Sequence, residues 1–163
     1  MSNRQARVVI PQTHFTLFDV ERSGLPEIIS VNAALLKFVE IEIFPWYLRV
    51  TIEAEELIEN GMPSPAESER LFAIGDEIED TVLTGRTEHG SENALFLARS
   101  TWNATRELMF QVHNPDITHA ALQLLLESRE WKRAWDYKMQ NDREWSNAAH
   151  IFQIFPIANG PDA

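Results

Sequence analysis

Residues 46–53 read WYLRVTIE, and residues 64–85 read SPAESERLFAIGDEIEDTVLTG. These two stretches decide the fold class, because each repeats with a different period. In the first, Trp46, Leu48, Val50 and Ile52 alternate with Tyr47, Arg49, Thr51 and Glu53, the two-residue period of a strand with one face on a core. In the second, Ser64 stands where a helix is capped, Pro65 takes the first helical position and Glu67 follows three residues after the cap. Leu71, Ile74, Ile78 and Val82 then share one stripe at helical spacing, with Asp76, Glu77, Glu79 and Asp80 largely off it. Gly85 supplies a stop, and Asn60-Gly61-Met62-Pro63 separates the strand from the helix.

Toward the N-terminus, Phe15–Glu21 predicts a strand, Ser23-Gly24 a turn, and Leu25–Val31 the returning strand, with Pro26 near its start where a missing N–H is tolerated. The segment Ala33–Phe44 fits either a strand or a short helix. Toward the C-terminus, Ala94–Thr101 and Thr105–His113 predict two strands around a tight turn at Trp102-Asn103-Ala104. Asn114-Pro115-Asp116 opens a helix that turns Ile117, Ala121, Leu124 and Leu125 inward. Arg133–Met139 alternates as a strand, and Asn141 or Asp142 caps a last short helix with Trp145, Ala148, Ala149 and Phe152 as its apolar positions. The tail Asn159–Ala163 reads as frayed.

The element order is β-β-β-α-β-β-α-β-α, an α+β class. Neighbouring strands pair into an antiparallel or mixed sheet, and helices pack on one face. At 163 residues the chain suits a single domain, 1–163, in which two lobes, roughly 14–85 and 94–157, meet at the polar stretch Arg86–Asn93.

Composition removes several function classes. There are no cysteines, which excludes disulfides, thiolate nucleophiles and zinc–thiolate sites and fits the reducing cytoplasm. No apolar core of a secretory signal follows Arg4 and Arg7, and no run approaches the ~20 apolar residues of a membrane span. Nucleotide-binding glycine loops, the G-x-S-x-G nucleophile pattern and the calcium-loop spacing are missing. Asn103-Ala104-Thr105 has the form of a glycosylation sequon but, without an export signal, reads as a turn.

The net charge of −11 is concentrated. Residues 40–92 hold fourteen acids against Arg49, Arg70 and Arg86, while the rest of the chain balances. Such a field disfavours nucleic acid and anionic membrane and favours a basic partner; a solvated face that keeps the protein in solution is the plainer reading. Asp76 and Asp80 share one helix face at i, i+4, and Glu53, Glu55 and Glu56 follow a strand end. His113, Asp116 and His119 form the one local grouping with metal-ligand residue types, and it is a common chance pattern. Five tryptophans are many for this length, three of them in the last third beside Arg129, Lys132, Arg133, Lys138 and Arg143. Trp135 and Trp145 read as core, with Trp131 covering it.

Four short motifs recur in order: Pro45-Trp46 leading a strand, Asn60-Gly61-x-Pro63 before a capped helix, Arg106-Glu107-Leu108-x-Phe110 after a turn, and Asp142-x-x-Trp145 after a Tyr-bearing strand. In this order they resemble the bacterial family catalogued as domain of unknown function 695, over roughly Phe15 to Phe155. The chain departs from the pattern at Ala104, where the resemblance leads one to expect glycine. The resemblance implies no established activity and no assigned site residues. It also implies that relatives occur alone or joined to a domain similar to the B-type regulators of ribonuclease E activity, which are acidic protein-binding inhibitors.

The expectation is therefore a non-enzymatic acidic module that docks on a basic protein, a toxin or an enzyme, through Glu53, Glu55, Asp76, Glu77 and Asp80, without a cofactor. The alternative is an enzyme with a carboxylate or histidine site, metal-assisted through His113, Asp116 and His119.

Overall fold

The computed structural model describes residues 8–155. Six strands form one antiparallel sheet: β1 (Phe15–Arg22), β2 (Leu25–Asn32), β3 (Trp46–Glu53), β4 (Ala94–Trp102), β5 (Thr105–Val112) and β6 (Trp135–Asn141). Their spatial order is β1-β2-β4-β5-β3-β6, so strands from both halves of the chain interleave. The helices are α1 (Pro65–Leu83), α2 (Pro115–Glu127) and α3 (Ser146–Phe152). The α+β class and the element order are those expected from the sequence.

The period-two pattern of WYLRVTIE places Leu48, Val50 and Ile52 on the side of α1 and α2, where Leu71, Ile74, Ile78, Val82 and Leu122 close over them. The opposite face is covered too. Tyr47, Ile29, Val31, Leu97 and Met109 pack there against Leu35, Phe44, Trp145, Ala148 and Phe155. Helices on one face therefore describes α1 and α2 but not α3, because the tryptophan and alanine before and within α3 complete this second core. A β-bulge between Phe96 and Ala98 serves both layers: it turns Leu97 and Ala98 to the α3 side and returns Arg99 to the α1 side.

Several local expectations shift for identifiable reasons. Ala33–Phe44 resolves into two 3-10 turns, Ala33–Leu35 and Ile41–Ile43, and the Phe44 carbonyl at its end receives the side-chain N–H groups of Gln111 and Trp145 at 3.1 and 2.9 Å. On α2 the buried residues are Thr118 and Leu122, and Leu124 is 72% exposed. The inward stripe is thus rotated, since the Thr118 hydroxyl is held by the Asn93 side chain at 3.0 Å. β6 begins at Trp135 rather than Arg133 because the Arg133 side chain is drawn to α1. Asp142 caps α3 as expected, accepting the N–H groups of Ser146 and Asn147 at 2.8 and 3.0 Å, but Trp145 precedes the helix in a left-handed conformation, φ 56°. Trp131 meets Trp135 edge to face, 5.4 Å between centroids, and so covers the core as expected. The fraying expected of Asn159–Ala163 lies outside the described residues.

Candidate functional site

The five acids expected to form one patch do not lie together. Glu53, at the end of β3, is exposed at a hollow of about 340 Å³ on the α3 side of the sheet, with Arg49, Asp136 and Lys138 around it. Glu55 faces Arg133 at 3.6 Å, and Glu77 is paired with Arg129. Asp76 and Asp80 are exposed and make no ion pair among the described residues. The divide follows from helical geometry: at 100° per residue, Phe72, Asp76 and Glu79 line the flank of α1 over β4, while Arg70 and Glu77 line the flank over α2 and β6.

The flank over β4 borders open sheet. α1 and α2 pack over β4, β5, β3 and β6 but leave the same side of β1 and β2 uncovered. There Leu17 is 68% exposed, with Phe15, Ile28 and the α1 residue Phe72 also exposed. Asp19 and Glu21 follow Phe15 and Leu17 on the same face of β1, opposite Ile28 and Pro26, and Asp76 and Asp80 are exposed on α1. Between them Glu79 pairs with Arg99 at 2.9 Å. Burial first, and then Asp76 and Asp80 against the opposing pull of Arg99, hold the Glu79 carboxyl above its ordinary value. Negative charge on this flank is thus in local excess.

The second site lies on the α3 side, where the apolar layer gives way to polar residues. A cleft of about 520 Å³ opens between β1–β2, the sheet and α3. Glu27 and Glu107, each 8% exposed, form its floor with Ser100 between them. The Ser100 hydroxyl donates to Glu27. Arg22 donates through one nitrogen, Nη1, to Glu27 at 3.1 Å and to Glu107 at 3.3 Å. Its guanidinium is stacked 3.9 Å from the Trp102 ring centroid. Arg49 approaches Glu107 from the other side at 3.6 Å. None of these residues was singled out as a site from sequence, although Glu107 belongs to the Arg106-Glu107-Leu108-x-Phe110 motif. The available signal was a charge at the inward-facing position of an apolar strand.

His113, Asp116 and His119 are not brought together. His113 Nδ1 lies 2.6 Å from the Ile43 carbonyl and His119 Nδ1 lies 2.7 Å from the Tyr137 hydroxyl, so each imidazole is bound to a different element. Among the described residues no three His, Asp or Glu side chains are placed to hold a metal ion, and no helix is long and apolar enough to cross a membrane.

The model of a family of unknown function (DUF695) matches residues 17–148. The chain belongs to the DUF695 family. The match spans β1 to the start of α3 and so includes both the open sheet face and the cleft. No curated protein and no solved structure matches the chain.

Proposed function

We propose that this DUF695 member is a protein-binding module whose docking surface is the open side of β1 and β2 together with the adjoining flank of α1. The single observation that carries the reading is a contiguous sheet face left without cover among the described residues. Its floor is Phe15, Leu17, Ile28 and Phe72, and its rim is Asp19, Glu21, Asp76 and Asp80. Exposed apolar surface bordered by charge is the anatomy of a docking site, with apolar anchors at the centre and a polar rim. The rim fits a basic partner: an approaching cation lowers the electrostatic cost that Glu79 bears, and the acidic field raises the rate of encounter. A basic toxin neutralised by this chain, or a basic enzyme regulated by it, is the kind of partner that meets both demands.

The test is affinity capture from the native host, followed by reconstitution with the purified partner. Leu17→Asp should abolish binding, and Asp76→Asn with Asp80→Asn should weaken it and flatten its dependence on salt. A partner that binds both variants as tightly as the parent overturns the reading.

A further inference from the structure

We infer that the partner docks by adding an extended strand to the outer edge of β1, a strand with two alternating basic residues followed by two alternating apolar ones. The inference rests on the docking reading above and specifies how the partner is held. β1 ends the sheet, with β2 on one side of it and no strand on the other among the described residues. Its eight residues contain neither lysine nor proline and pair with β2 without a shift of register. An edge of this kind is a template for a further strand.

The phase of the ladder decides what the edge presents. The Ala33 N–H donates to the His14 carbonyl at 2.7 Å. His14 and Ala33 continue the β1–β2 register by one pair, so the hydrogen-bonded pairs fall on the even residues of β1. The backbone N–H and C=O groups of Phe15, Leu17, Asp19 and Glu21 therefore point outward. The side chains of the same residues lie on the open face and are exposed. A strand laid along β1 meets free main-chain groups and the docking face together, which is how peptides extend a sheet. The opposite edge is guarded. In β6 the Asp136 carboxylate accepts the outward N–H of Tyr137 at 2.7 Å, and Lys138 stands in mid-strand.

Charge chooses the occupant. Residues directly opposite one another in an antiparallel pair share a face and interact. An added antiparallel strand sets one pair of its side chains beside Glu21 and Asp19 and the next pair beside Leu17 and Phe15. Asp19 and Glu21 are exposed and make no ion pair among the described residues. Asp76 and Asp80 on α1 strengthen their field, while Arg99 on this flank is already paired with Glu79 at 2.9 Å. Lysine or arginine opposite the two acids is therefore favoured. A second copy of the chain would bring the same acids, and a net charge of −11, to the same edge. Like charges across an interface select against that pairing.

The probe is the end-blocked peptide TKTKTITVT, whose lysines fall opposite Glu21 and Asp19 and whose isoleucine and valine fall opposite Leu17 and Phe15. Backbone amide exchange is followed by NMR. In the free protein the amides of Thr16, Phe18 and Val20 should be protected, and those of Leu17, Asp19 and Glu21 should exchange freely. Saturating peptide should slow the second set about tenfold or more, with a Kd of about 1 mM or lower. The acidic peptide TETETITVT should bind at least about tenfold more weakly. No added protection of the second set, or equal binding of the two peptides, overturns the inference. Protection that rises with protein concentration alone gives the edge to a second copy and overturns it as well. With the captured partner, Asp19→Pro removes an outward N–H and spares the bonds to β2. It should abolish binding where Asp19→Asn weakens it only several-fold. Equal effects of the two substitutions overturn strand addition and leave the docking surface standing. A partner indifferent to Leu17→Asp overturns the docking reading and this inference with it.

Discussion

Arg133 closes on the Glu67 carboxylate through two hydrogen bonds, Nε to Oε2 at 2.7 Å and Nη2 to Oε1 at 2.6 Å, across 66 residues of chain. Glu67 is fully buried and also accepts the Glu55 N–H at 2.7 Å and Arg70 at 3.2 Å. One carboxylate thereby ties the start of α1 to the exit of β3 and the entry to β6.

The Arg133 bonds, helped by the Glu55 N–H and Arg70 against the cost of burial, lower Glu67 to about 2. A carboxyl whose folded pKa lies below its ordinary value stabilises fully above about pH 4.5, and that contribution disappears as the pH falls toward 2. The linked stability is about 3 kcal/mol. Urea unfolding at pH 7 and pH 3 should show this loss, and Glu67→Gln should remove most of it. Arg133→Ala leaves a buried carboxylate without its main partner and should cost about 3–5 kcal/mol at pH 7. A pH dependence identical in Glu67→Gln and the parent would refute the assignment.

The turn between β4 and β5 holds Asn103 at φ 43° and Ala104 at φ 62°. That is the left-handed region, where an alanine Cβ is strained and glycine is not. Ala104 departs from the expected family pattern at a position of this turn where glycine has a conformational reason to stand. Ala104→Gly should stabilise the protein by about 1 kcal/mol, read as a rise in unfolding midpoint. Gly61 packs against the same turn: it accepts the Ala104 N–H at 2.8 Å, and a Cβ on it would meet Asn103 Cα at 3.1 Å at φ +76°. Gly61→Ala should therefore destabilise by about 2 kcal/mol or more.

Gly75 presents the opposite case. It lies inside α1 and is buried, and a Cβ there would find methyl groups of Leu108 and Ile52 at 3.8 and 3.9 Å, ordinary contact distances. Glycine in a helix interior costs about 1 kcal/mol relative to alanine. Gly75→Ala should raise the unfolding midpoint by an amount close to that, and a loss of stability would show that α1 packs more tightly against the sheet than these distances imply.

Local signals in the sequence were reliable where their partners are local. The Ser64 cap is formed, Oγ accepting the Glu67 N–H at 3.1 Å, and WYLRVTIE pairs in the register its alternation demands. Glu67 fills the capping-box position, yet its carboxylate serves Arg133 and Glu55 rather than the Ser64 N–H, which goes to the Glu56 carbonyl. Nothing near Glu67 in sequence announces that partner. The cleft was illegible for the same reason. Glu27 and Glu107 meet only because β2 neighbours β4 and β4 neighbours β5, an order set by long-range pairing. The acidity of residues 40–92 was visible as a sum, but which acids meet an arginine is decided by the side of α1 on which they fall.

Arg106 supplies the sharpest energetic test. It is 3% exposed and has no carboxylate partner among the described residues; Nε donates to the Thr101 hydroxyl at 2.8 Å, and the guanidinium lies 4.3 Å from the Phe72 ring centroid. Its Nη1 is buried without a hydrogen bond. Burial first, and then Arg99, pull its pKa down to about 10, so at neutral pH it is a charge held against its desolvation cost. The cation–π contact contributes about 2 kcal/mol and the hydrogen bond about 1, whereas burying an unpaired charge costs several kcal/mol. Desolvation wins this comparison. Arg106→Met, which keeps an unbranched chain under Phe72, should leave stability unchanged or raise it by about 1 kcal/mol in urea unfolding at pH 7. A loss of 2 kcal/mol or more would mean that the ring and the threonine solvate the guanidinium nearly as well as water does.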